Sequence, residues 1–206
     1  MKKYKLDVFD GGERMKQKYD GNLIHKKLIR GFMISLLHML EKTGKTDIYE
    51  FGCGEGQLLG ILHQNGYKVA GFDLDETSVK IAKENFSSRG WSVDIRIGNV
   101  YEKDWKFDVR GVIICCEVLE HLEKPKEALN NIWDKTDGYF IASVPREPLW
   151  RILNLIRGKY IKNLGNTPGH INHWSKRKFV GLCAKYGEVV EVKSPLPWTM
   201  VLVKVG

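Results

Sequence analysis

The chain has 206 residues, 43% of them hydrophobic and 28% charged, with a formal net charge of +8. That length suits one domain with a full core, and the composition excludes a disordered or collagen-like chain. No apolar run approaches the roughly twenty residues of a membrane-spanning helix. The basic balance favours an anionic partner (nucleic acid, a phospholipid surface or a phosphorylated substrate), or is a solvated basic face.

Residues 1–20 are polar and irregular and read as an arm. They are charged but lead into no apolar h-region, so they do not read as a secretory signal. Asn22–Lys42 has helical spacing: Leu28, Phe32, Leu36 and Leu40 recur every four residues. Lying before the first strand, this helix is expected across a sheet edge or over a ligand site. Strands and helices then alternate. Strands are predicted at Asp47–Phe51, Lys68–Asp73, Ser92–Ile97, Val109–Cys116 and Gly138–Val144, and helices at Gly56–Asn65, Glu76–Arg89 and Pro125–Lys135. This β-α-β order calls for an α/β doubly wound parallel sheet with its ligand at the carboxyl ends of the strands. After the fifth strand the pattern breaks into an insertion, residues 145–170, in which Trp150, Leu153, Ile156 and Tyr160 fit one helical face among Arg146, Arg151, Arg157, Lys159 and Lys162. A last helix at Ser175–Tyr186 precedes two strands, Glu188–Lys193 and Met200–Val205. These make a terminal hairpin and so place one antiparallel strand in the sheet. Residues 1–45 thus form an N-terminal arm and helix, and residues 46–206 the main domain.

Four cysteines, Cys53, Cys115, Cys116 and Cys183, form no C-x-x-C pair. They read as reduced thiols of a cytoplasmic protein, with Cys115 and Cys116 as small core residues.

The chemistry-bearing stretch is IYEFGCGEGQLL, residues 48–59. A strand ends in an acid, Glu50; Gly52, Gly54 and Gly56 follow at every second position, and a helix begins. Glycines there let a ligand approach the backbone. Asp73 ends the second strand, where its carboxylate can accept both hydroxyls of an adenosine ribose. The turn is G-x-G-x-G, not the G-x-G-x-x-G that carries a pyrophosphate, and Glu50 would oppose a bound phosphate. Both points weigh against a nicotinamide dinucleotide enzyme. Gly98-Asn99-Val100, after the third strand, offers a polar side chain and a backbone N–H to an adenine edge.

With EFGCGEG, GFDLDETSVKIAKEN, GNV and CCEVLEHL in this order, residues 47–205 resemble the class I S-adenosylmethionine-dependent methyltransferases. The resemblance implies a Rossmann-like seven-stranded sheet of order 3-2-1-4-5-7-6 and S-adenosylmethionine as cofactor. By position, it implies that Glu50, Gly52, Gly54, Asp73, Leu74, Asn99 and Val100 hold that cofactor. Position 99 is more often Asp in the family; Asn can still accept from the adenine amino group through its carbonyl oxygen.

Glu117, Glu120 and His121 follow the fourth strand, three and four residues apart, so a helical segment would put them on one face. Glu117 and His121 are the candidates for catalysis or acceptor contact. Two carboxylates and an imidazole are also plausible ligands for a divalent ion. The E-V-L-E-H stretch, with His170 and His173 before Trp174, resembles ubiquinone-biosynthesis O-methyltransferases and small-RNA terminal-ribose O-methyltransferases. That likeness implies a metal held by Glu117, Glu120, His121 and either His170 or His173. The same stretch also occurs in methyltransferases that bind no metal, where His121 would act as a base or hydrogen-bond within its loop. His25, His38 and His63 lie within helix patterns and read as structural.

The implied activity is O-methylation of a small-molecule, lipid-linked or sugar-like acceptor, with the insertion as a substrate lid and residues 145–162 as a region for peripheral membrane contact. The alternatives are methylation of an RNA ribose, disfavoured because no basic stripe is interleaved with aromatics, and a non-catalytic cofactor-binding subunit.

Overall fold

In the computed structural model, residues 4–6, 23–102, 105, 111–136 and 138–205 are described. Most of the arm, together with Val109 and Arg110 of the predicted fourth strand, lies outside them. The elements in order are α1 (Leu23–Thr43), β1 (Asp47–Phe51), α2 (Gln57–Gln64), β2 (Lys68–Asp73), α3 (Glu76–Ser87), β3 (Asp94–Ile97), β4 (Val112–Cys116), α4 (Pro125–Trp133), β5 (Tyr139–Pro145), α5 (Leu149–Ile156), α6 (Lys176–Cys183), β6 (Glu188–Lys193) and β7 (Trp198–Lys204). Single 3-10 turns lie at Leu119–His121 and Ile161–Asn163.

The strands form one sheet of order β3-β2-β1-β4-β5-β7-β6. The β1–β2, β1–β4, β2–β3 and β4–β5 pairs are parallel, and β7 runs antiparallel to both β5 and β6. The last crossover returns as a hairpin, so β7 slots in antiparallel between β5 and β6. Its first residue, Trp198, therefore pairs with Pro145 at the carboxyl end of β5. The sequence pattern started this strand at Met200; its ladder begins two residues earlier.

Hydrophobic cores cover both sheet faces. On one face, Ile29, Phe32, Met33, Leu36, Leu37, Met39 and Leu40 of α1 pack with Ile48, Val112, Ile114, Ile141 and Leu202. Helix α1 thus shares the core of the sheet. On the other face, Leu129 and Ile132 of α4 and Phe179 and Cys183 of α6 pack on Ile113, Cys115, Phe140, Val201 and Val203. All four cysteines are unpaired and buried, and burial pushes the thiol of Cys183 up to about 12. Helix α3 starts where the Asp75 carboxylate accepts from the backbone N–H of Thr77 and from Ser78 Oγ.

The insertion departs from its expected form. Helix α5 ends at Ile156, and Tyr160 takes a left-handed backbone conformation beyond it (φ 54°), so Tyr160 is not on the face of Trp150, Leu153 and Ile156. Gly158, at φ 66°, follows the last helical turn. The buried Asn154 amide donates to Gly165 O and Thr167 Oγ1, and Trp150 Nε1 donates to the same hydroxyl. The return strand of the insertion is thereby tied to its helix.

Candidate active site

The site lies at the carboxyl edge of β1, β2, β3 and β4. Gly52 N and Cys53 N both donate to Phe72 O, at 2.9 and 3.0 Å, which seats the turn after β1 against the end of β2. Gly52 has φ 79°, and a Cβ there would meet Val118 Cγ2 at 2.4 Å; the turn presses on the segment after β4. Gly54 has φ 51° and open space where a Cβ would stand. A ligand can approach its backbone.

Asp73 uses both carboxylate oxygens. Oδ2 accepts from Gly54 N at 2.7 Å and Oδ1 from Asp75 N at 2.9 Å. The acid therefore fixes the glycine turn, and it also lines a cavity. Asn99 Oδ1 accepts from Tyr101 N at 3.0 Å, which assigns the amide orientation and turns the Nδ2 donors outward. That oxygen accepts one bond from the loop and keeps a second lone pair. The loop is anchored by Trp105 Nε1 on Asn99 O and Asn131 Nδ2 on Tyr101 O.

A cavity of about 280 Å³ is lined by Gly52, Asp73, Leu74, Asn99 and Val100 and, on its other side, by Glu117, Val118 and His121. A second, of about 170 Å³, is lined by Glu50, Gly52, Gly54, Glu55 and Glu117 and by Ile29, Phe32 and Met33 of α1. The two share Gly52 and Glu117. All seven predicted cofactor residues therefore border this pair of cavities. Carboxylates beside apolar walls suit a ligand carrying a cation on an alkyl chain, and a ribose suits Asp73. The residues present fit S-adenosylmethionine.

Glu117, Glu120 and His121 do not share a helical face. Glu117 has φ 61° and only Leu119–His121 form a turn, so the carboxylates diverge. Glu117 Oε1 accepts from Ser143 Oγ at 3.0 Å and Oε2 from Trp198 Nε1 at 2.6 Å. Glu120 is buried at 1% exposure. One donor atom each from Glu120, His121 and His170 lies within 4.8 Å of the others. Of the four predicted metal ligands, the structure brings these three together and leaves Glu117 outside the group.

The distant histidine arrives because Ile171 N and Asn172 N both donate to Glu120 O, while the Asn172 amide donates to Leu122 O. His121 Nδ1 donates to Gly169 O at 2.9 Å, which leaves the lone pair on Nε2. The His170 ring meets His121 edge-on at 4.8 Å. Burial pushes His170 down to about 4, with His121 and His173 adding repulsion, so its imidazole is neutral near pH 7. Two imidazoles and a carboxylate fit a divalent transition ion.

Sequence reasoning missed Trp198. Its signal was topological: the first residue of an antiparallel β7 must stand at the ligand edge. His25, read as structural, lines a third cavity with Ile24, Leu28, Trp150, Leu153, Ile156, Arg157, Pro197 and Trp198.

A sequence model of the methyltransferase domain family matches residues 25–191. The chain belongs to that family. Curated relatives of this methyltransferase include proteins named ubiquinone biosynthesis O-methyltransferase. The one from Nitrosospira multiformis is 29% identical over 57% of this chain and 51% of its own, and the one from Nitrosomonas europaea 30% identical over 60% and 53%. This chain thus spans about half the length of those relatives. Among solved structures, magnesium protoporphyrin IX methyltransferase from Synechocystis, with bound SAH, superposes with a TM-score of 0.69 at 19% identity, covering 94% of each chain. A Pyrococcus horikoshii protein gives 0.69 at 19% identity over 93% of this chain and 96% of its own. The methyltransferase domain of a bacterial Hen1 gives 0.67 at 18% over 86% and 100%. These likenesses bear out the seven-stranded fold.

Proposed function

We propose that this methyltransferase moves a methyl group from S-adenosylmethionine to a hydroxyl oxygen of a small or lipid-linked acceptor. One observation carries the reading: Glu117 and His121 line the same cavity as Asp73, Leu74, Asn99 and Val100. The names of the curated relatives support oxygen as the acceptor atom. The donor, when bound, supplies an activated methyl, and a divalent ion would lower the pKa of a coordinated hydroxyl.

The residues of the chain supply alignment. Asp73 and Asn99 orient the nucleoside, and the Glu50–Glu117 side faces the charged portion. The acceptor oxygen forms the new C–O bond in line as the S–CH3 bond breaks, and its proton leaves to a base. Nε2 of His121 has the free lone pair for that proton. With Glu120 and His170 it would instead hold the ion. The insertion supports a lipid-linked acceptor and contact with a membrane surface: Leu155, Ile156, Ile161 and Leu164 are exposed beside Arg151, Arg157, Lys159 and Lys162.

The test is turnover with catechol, a neutral aliphatic diol and an RNA oligomer, each with and without EDTA and with divalent ions restored. Turnover of a diol that dies with EDTA and returns with the ion supports the metal-held form; EDTA-insensitive turnover abolished by His121→Ala supports the base. RNA turnover falling steeply with salt overturns the small-acceptor reading. SAH binding without turnover of any acceptor would make the chain a cofactor-binding subunit.

A further inference from the structure

We propose that Trp198 positions Glu117 for methyl transfer and forms the partition through which the acceptor reaches the transfer chamber from the cavity between α1 and α5. The acceptor part rests on the proposed O-methylation; the positioning part rests on geometry alone.

Trp198 borders two cavities. On one side it lines the 170 Å³ chamber with Gly52, Gly54 and Glu117. On the other it lines an outer cavity of about 270 Å³ with Leu28, Trp150, Leu153 and Pro197. The ring is buried and held edge-on by Phe32 at 5.2 Å, with Trp150 tilted against it at 5.9 Å. Its Nε1–H donates to Glu117 Oε2 at 2.6 Å while Ser143 Oγ donates to Oε1 at 3.0 Å. The two donors come from adjacent strands, β7 and β5, where Trp198 stands opposite Pro145 and Ser143 opposite Met200. The backbone of Glu117 is itself fixed, at φ 61°, a conformation uncommon for a residue other than glycine. Held at both carboxylate oxygens and at its backbone, Glu117 presents a preset acceptor to a chamber it shares with the cofactor residues. A surface glutamate needs none of this.

The partition follows from the same ring. The outer cavity has apolar walls, and His25 and Arg157 also line it. The guanidinium of Arg157 donates to Asn154 Oδ1, and no carboxylate among the described residues pairs with it. The outer cavity therefore receives a molecule with an apolar body, and Trp198 stands between that body and the reacting oxygen. A smaller side chain would join the two spaces.

The positioning claim has a readout that needs no activity. In a 1H–15N spectrum, Trp198→Phe removes one indole N–H resonance and so assigns it. In the wild type that resonance is expected far downfield, and Glu117→Gln is expected to move it upfield. A Trp198 resonance unmoved by Glu117→Gln overturns the positioning. Titration with 4-butylcatechol is expected to shift the resonances that Trp198→Phe and Trp150→Phe remove; shifting neither overturns the port. In turnover, Trp198→Phe keeps the ring and loses the N–H. It is expected to lower kcat about tenfold or more with the KM for catechol within about threefold. Ser143→Ala should act in the same direction. Trp198→Ala is expected to change the ratio of kcat/KM for 4-butylcatechol and catechol, which Trp198→Phe leaves alone. Equal kcat in the wild type and Trp198→Phe overturns the catalytic consequence. If the wild type turns over neither the catechols nor the aliphatic diol, the O-methylation reading fails, and the spectra still decide the positioning and the port.

Discussion

Asp73→Asn tests the hub of the donor site. Both oxygens of the carboxylate are used, one by Gly54 N at 2.7 Å and the other by Asp75 N at 2.9 Å. Asparagine keeps the shape and offers one oxygen. Its amide NH2 must then face a backbone N–H, donor against donor. Leaving such a group unsatisfied costs about 1–3 kcal/mol. At about 2–4 °C per kcal/mol for a chain of this size, the melting temperature should fall by roughly 2–12 °C. The ligand loses more. Hydrogen bonds from ribose hydroxyls to a carboxylate are each worth about 1.5–3 kcal/mol, and the glycine turn is no longer held for the ligand. Together these should weaken SAH binding by about 100-fold or more. Calorimetry with SAH and a thermal melt read the two effects separately. A variant binding SAH within about threefold of wild type would refute both the ribose assignment and the role of the acid in the turn.

Two glycines of the same turn should fail differently. Gly52→Ala forces a methyl into Val118 at φ 79°, so its main loss should be in melting temperature, from overpacking of about 1–3 kcal/mol. Gly54→Ala meets open space and should melt within a few degrees of wild type while SAH binding falls more than about tenfold; the reverse order would contradict the assignment of open space to the ligand. The four thiols should resist Ellman's reagent at pH 8 in the native protein and all react in guanidinium, because they are buried and burial holds Cys183 near 12; fast native labelling of any of them would show the core to be open there. Ile156→Asp with Leu164→Asp should abolish co-sedimentation with phosphatidylglycerol vesicles, given the exposure of both residues (75% and 72%); wild type that fails to sediment would remove the membrane contact from the proposal.

Much of the scaffold was legible in the chain. β1, β2 and β6 fall at their predicted residues, because short strand-forming runs bounded by glycine and polar turns leave few other places for a strand. The donor site was legible for a related reason: glycines and acids at strand ends act through backbone geometry, and strand ends are visible in sequence. The shared helical face expected of Glu117, Glu120 and His121 does not form because a left-handed residue after β4 turns Glu117 away from the other two, and no periodicity announces a positive φ at glutamate. The union of His170 with Glu120 and His121 depends on the Asn172 amide and the backbone contacts beside it, about fifty residues from their partners. Spacing alone carries no record of such contacts; the family resemblance is what named His170 beside Glu120 and His121. Trp198 was hidden by a two-residue error in a strand boundary.

Helix α1 contributes Ile29, Phe32 and Met33 to the donor chamber and Ile24 and Leu28 to the outer one. Burial along it is graded: Leu23 is 84% exposed, whereas Met39 and Leu40 are fully enclosed. Its far end is clamped into the core and its near end forms a roof over both chambers. Fraying of the first two turns would release Ile24 and Leu28 from the outer chamber and Ile29 from the donor chamber in one motion. Amide exchange should be fastest in those turns and slow down when SAH is bound beneath them.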